Sequence, residues 1–142
     1  MTENLQGTST LLHPDFKDVM SENGTFEELG EGVLNKLRDE YLREGLRVSD
    51  AKKIKDITSA FGVNLETVFS ISGVDGLGLH DNYLAATFLK MHVSEDPKKL
   101  RTWLNTSKIS LDHKTTLSVI LEDKLPKVVG YVFDAYNVKS NA

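Results

Sequence analysis

Apolar residues recur along most of this chain every three or four positions, the period of a helix with one buried face. They almost nowhere alternate as a half-buried strand requires. Phe26, Leu29, Val33, Leu37 and Tyr41 mark the first stripe, and Thr25 with Glu28 three residues on forms a capping box ahead of it. Gly45 ends that helix. Ser49 or Asp50 then caps a helix carrying Ile54, Ile57 and Phe61, and Asn64 caps a short one with Leu65, Val68 and Phe69. Gly73, Gly76 and Gly78 predict a breaker segment outside any helix. A helix over 80–93 follows, with Leu84, Phe88 and Met91 on one stripe. Asp96 and Pro97 are a cap and a first-turn proline, opening a helix that contains Trp103. Ser110 is the expected cap of the next helix, bearing Leu117, Ile120 and Leu121. Pro126 starts the last, with Val128, Val129, Val132 and Tyr136 facing inward. The pattern predicts an all-α fold, a compact bundle of about seven helices with short loops. Residues 1–24 read as a loosely ordered leader with room for one short helix.

The 142 residues suffice for a real core, and 39% hydrophobic with 27% charged residues is ordinary for a globular chain. A net charge of -4 speaks against a nucleic-acid surface. Lys52, Lys53 and Lys55 are diluted by Asp50 and Asp56. With no cysteine, disulfides, thiolate metal sites and cysteine nucleophiles are excluded. No apolar run approaches the roughly 20 residues of a membrane span, and the first ten residues lack a signal-peptide core.

Candidate chemistry is sparse. His13, His80, His92 and His113 are scattered, without the spacing of a zinc site. His80 and Asp81 read as surface or cap residues, although a deep pocket around them would favour a small hydrolase or ligand-binding enzyme. The segment 73–81 offers Val74, Leu77 and Leu79 where a calcium loop needs oxygen ligands. Phe26 and Leu29 fit an aromatic-x-x-aliphatic docking motif, but the capping box places them on a helix with their side chains in its apolar stripe. Asn23 and Asn105 satisfy the N-glycosylation rule at helix ends, where polar residues already serve as caps. No catalytic, cofactor-binding or metal-ligating set emerges, and the expectation is a non-enzyme. Trp103, Leu117, Tyr131 and Tyr136 are expected to be structural core. Leu77, Leu79 and Val138, near helix ends, are the candidate partner contacts.

The segment from Leu100 to Tyr136 resembles the WY-domain of RXLR effectors from plant-pathogenic oomycetes. Trp103 stands for the tryptophan, Ser110, Asp112 and Leu117 for the capped helix, and Pro126, Tyr131 and Tyr136 for the tyrosine helix. Residues 41–50 echo 103–112, with Tyr41 in place of tryptophan, and Leu65, Phe69 and Tyr83 also resemble family positions. The resemblance implies a degenerate first unit over 25–94 and a second over 95–142, packed together. In that family a signal peptide and an Arg-x-Leu-Arg segment lie amino-terminal to this domain; neither occurs here, so the expectation is a chain trimmed of both. The resemblance further implies a secreted virulence effector that enters the host cytoplasm or nucleus and suppresses plant immunity by binding a host protein. It implies no cofactor, nucleic acid or membrane insertion. A second copy of the chain, as a homodimer, is a further candidate partner. The competing reading is a helical adaptor or regulatory domain outside any pathogen.

Overall fold

A computed structural model of the chain describes residues 25–73 and 76–136. Its element order is α1 (Phe26–Arg43), α2 (Asp50–Phe61), α3 (Leu65–Ser72), α4 (Leu77–His92), α5 (Pro97–Leu104), two-residue strands β1 (Ser107–Lys108) and β2 (Lys114–Thr115), α6 (Thr116–Leu121) and α7 (Leu125–Ala135). Among the described residues this is the all-α bundle of seven helices that the periodicity predicts. The expected leader helix, Asn23 and Val138 lie outside the described residues.

The caps explain where most helices start. Thr25 and Glu28 form both halves of the capping box on α1. The Ser49, Asn64 and Asp96 side chains accept from the amides of Lys52, Thr67 and Lys98 at the starts of α2, α3 and α5. Each satisfies a backbone donor that the first turn leaves unpaired.

Two starts differ from expectation. Ser110 caps no α-helix. It lies in a 3-10 turn, Ile109–Leu111, at the tip of the antiparallel β1–β2 hairpin, and Thr115 caps α6 by accepting from the amide of Ser118. Leu111, fully buried, holds that turn against the core, so the chain makes a reversal before it can resume a helix. Gly78 lies inside α4 rather than in the preceding breaker, and the turn is made by Gly73 and Gly76, both at positive φ. A Cβ at Gly78 would come within 2.5 Å of the Ile71 carbonyl oxygen, so glycine there lets α4 start against the end of α3.

α4 is the centre of the molecule. Tyr83, Leu84, Ala85, Ala86, Phe88 and Leu89 are all buried, covering most of the helix circumference. It packs on α1, α2, α3, α5 and α7, which explains why it lacks a single apolar stripe. The most extensive helix pair is α1 with α7. Gly30 and Gly130 face each other there: a methyl on Gly30 would overlap the Pro126 carbonyl, and one on Gly130 the Phe26 carbonyl. The two backbones therefore touch directly. Segments 25–94 and 95–142 consequently contribute to one hydrophobic core, which runs from Leu29 to Phe133.

Candidate functional site

Four aromatic side chains meet where the ends of α1, α5 and α7 converge. Phe26, in the first turn of α1, stands edge-on to Tyr131 of α7, with ring centroids 5.7 Å apart. Tyr131 lies 6.4 Å from Trp103 of α5, and Trp103 lies edge-on to Tyr136 at 6.2 Å. The indole N–H of Trp103 donates to the Tyr136 hydroxyl oxygen over 2.6 Å. These centroid separations suit edge-to-face and offset aromatic pairing, worth about 0.5–1.5 kcal/mol a pair beyond area burial.

The seam is half open to solvent. Phe26, Trp103 and Tyr131 are partly buried against the core. Tyr136, expected to be a core residue facing inward, is 40% exposed. It is the C-cap of α7, the position at which the chain leaves the helix, and its ring lies along the surface to reach Trp103. Leu117, also expected in the core, is partly buried at its edge. Burial pushes the Tyr131 hydroxyl pKa up, with the neighbouring Tyr136 adding to the effect.

Lys108, at the end of β1, completes the seam. Its ammonium sits 4.8 Å from the Trp103 ring centroid and donates to the backbone oxygens of Trp103 and Thr106. A cation thus closes the C-terminal end of α5, where helix carbonyls point outward. Burial lowers the Lys108 pKa. The next residue, Ile109, is 81% exposed at the start of the 3-10 turn. Sequence reasoning assigned neither residue a role. The signal for Lys108 was available, since it is a cation five residues past Trp103 at a helix end. The exposure of Ile109 comes from the β1–β2 hairpin, which the helical periodicity did not reveal.

The remaining candidates lie elsewhere in the fold. Asp81 accepts two hydrogen bonds from Arg38, from Nε at 2.9 Å and Nη2 at 2.8 Å, a bidentate bridge joining α1 to α4. That bond raises the Arg38 pKa further. His80 packs edge-on against Tyr41 at 4.6 Å, and burial foremost, with Lys53 and Arg38, lowers its pKa against the pull of Asp81. Both residues were expected at the surface or in caps; both lie between helices. Phe26 and Leu29 belong to α1, with Leu29 buried, as a packed helix requires. Leu79 is partly buried against the core, and Leu77 is the first residue of α4. Asn105 is exposed and caps α5, its amide donating to the Arg101 carbonyl.

Among the described residues, no group of three or more His, Asp or Glu side chains could hold a metal ion. No helix of the described residues is long and apolar enough to cross a membrane. No protein-family model, no curated protein and no solved structure matches this chain.

Proposed function

We propose that this chain is a helical protein-binding scaffold acting as a secreted effector, which enters plant cells and suppresses immunity by binding a host protein at the aromatic seam. The observation that carries the reading is the half-exposed cluster of Phe26, Trp103, Tyr131 and Tyr136, with the exposed Ile109 one residue past Lys108. Tryptophan and tyrosine, packed on one side and open on the other, are the residue types that dominate interface hot spots. The resemblance of residues 100–136 to the WY-domain falls on three of those four aromatic positions. A cysteine-free helical core also lets surface positions vary without loss of the fold, as a scaffold for host targets needs.

The test pairs a pull-down from leaf extract with transient expression in leaves, using wild type, Tyr136→Ala and Ile109→Ser. Both substitutions remove exposed side chains and leave the helical circular dichroism unchanged. Capture of one plant protein by wild type, lost at least tenfold in both variants together with suppression of an elicitor-triggered oxidative burst, is the expected result. A folded chain that neither captures a plant protein nor dampens the burst would turn the assignment to a helical adaptor domain of another cell.

A further inference from the structure

The outward face of α5 is a shallow polar depression of about 510 Å³, lined by Lys98, Arg101, Thr102, Asn105 and Thr106. Its Lys98 end lies away from the aromatic seam, because helical spacing sets Lys98 about 140° around α5 from Trp103, while its Thr106 end borders Lys108. The donors of its uncharged side chains are turned back onto the helix. Thr102 donates to the Lys98 carbonyl, Thr106 to that of Thr102, and Asn105 to that of Arg101. What the depression presents outward is therefore charge.

That charge is positive, carried by cations that form no ion pair among the described residues. Arg101 is held in place: Nη1 donates to the Ser59 carbonyl of α2 at 3.0 Å, and its methylene stem fills the space beside Gly62. Among the described residues the guanidinium makes no other hydrogen bond. Lys55 stands one turn before Ser59 on the same side of α2 and is exposed, as is Lys98. Among the described residues no carboxylate pairs with Lys55, Lys98 or Arg101, whereas Lys52 on α2 is paired with Asp56. Asp96, the nearest acid in sequence, accepts from the Lys98 amide as the cap of α5 and places its negative charge at that end of the face. The Arg101–Ser59 bond thus brings α5, with Lys98, against the side of α2 that carries Lys55, more than 40 residues earlier in a chain of net charge -4.

We propose that this α2–α5 face docks an acidic segment of a protein partner, with Arg101 as the fixed anchor and Lys55 and Lys98 as flanking cations. The match is one of charge: a glutamate- or aspartate-rich stretch supplies carboxylates for a guanidinium fork and two mobile ammonium groups. A nucleic-acid backbone is the poorer fit, because the cations form a compact patch rather than a stripe that could track successive phosphates. The assignment does not depend on the aromatic seam or on the effector reading.

The experiment is an amide-resonance titration of the isotope-labelled chain with a decaglutamate peptide. A glycine-serine decamer and a single-stranded DNA decamer serve as parallel probes. The expected result is saturable shifts at Lys55, Lys98, Arg101, Thr102, Asn105 and Thr106 with decaglutamate only, weakening as salt rises. The Lys55→Gln/Lys98→Gln double variant, which changes two solvated side chains and leaves the fold intact, should weaken binding about fivefold to tenfold, the loss of roughly 1 kcal/mol or slightly more. Absence of shifts up to low-millimolar peptide, shifts centred elsewhere, or affinity unchanged in the double variant would overturn the proposal. DNA binding at these residues as tightly as decaglutamate would overturn the assignment to an acidic protein segment.

Discussion

Trp103 is held by three kinds of contact at once: an apolar flank on the core, a hydrogen bond to Tyr136 and a cation over its face. Because the hydrogen bond is exposed, water can replace it, and its net worth is modest. Tyr136→Phe is expected to cost about 0.5–1 kcal/mol in urea denaturation, and the same change in a Trp103→Phe background close to nothing. Equal costs in both backgrounds would show that the indole N–H and the phenol do not communicate. His80 carries a pH signature of opposite origin, since burial and nearby cations disfavour its protonated form. With the folded pKa below the unfolded value of about 6.5, the unfolded chain binds more protons in the interval between them. The stability contributed by neutral His80 is complete above about pH 6.5 and is lost as the pH falls below it. Urea midpoints of wild type and His80→Gln should therefore converge on acidification; a constant gap between them from neutral to mildly acid pH would refute this.

At the scale of elements, the α1–α7 crossing reverses an ordinary expectation. Glycine to alanine inside a helix normally stabilises by up to about 1 kcal/mol. At Gly30 or Gly130 the added methyl meets backbone of the opposite helix, which cannot rotate away as a side chain could. Either substitution forces the helices apart and should destabilise by roughly 3 kcal/mol or more, at the upper end of overpacking costs. A neutral or higher melting temperature for Gly30→Ala would mean that the crossing is looser than the geometry describes. The α6 cap gives a sharper contrast. Thr115→Ala should cost about 1 kcal/mol and Ser110→Ala almost none, because only Thr115 binds a first-turn amide. Sequence reasoning favoured the other residue for an instructive reason: Ser110 precedes an apolar run, but the run begins with a hairpin. Caps at Thr25, Ser49, Asn64 and Asp96 were legible since each is a local bond within a few residues. The Phe26–Tyr131 pairing, the Gly30–Gly130 contact and the α2–α5 cationic face were not, because each joins residues far apart in sequence. The aromatic residues of the seam could be named from the chain; that Tyr136 would lie on the surface rather than in the core depended on where α7 stops.

At the scale of the whole molecule, the question is whether 25–94 and 95–142 are two stable units or one. The packing argues for one. The first helix of the earlier segment makes its most extensive contact with the last helix of the later one, and α4 touches both sets. Thr116, fully buried at the start of α6, donates to the Leu104 carbonyl, tying the later helices to each other, yet α7 is covered by α1 and α4, and α5 by α2 and α4. A segment of under 50 residues left with those faces open would fall in the size range where a core alone rarely sustains a fold. Unfolding should therefore be a single cooperative transition, in which Trp103 fluorescence, reporting only on the later segment, and far-ultraviolet circular dichroism, reporting on all helices, share one midpoint. Leu37→Ala supplies the decisive variant. Leu37 is buried in α1, wholly within the earlier segment, and its truncation should cost about 2–5 kcal/mol. In a single cooperative unit that loss lowers the Trp103 fluorescence midpoint as far as the circular-dichroism midpoint, with the urea dependence unchanged. If the segments were independently stable, Leu37→Ala would split the transition and leave the Trp103 midpoint where it was.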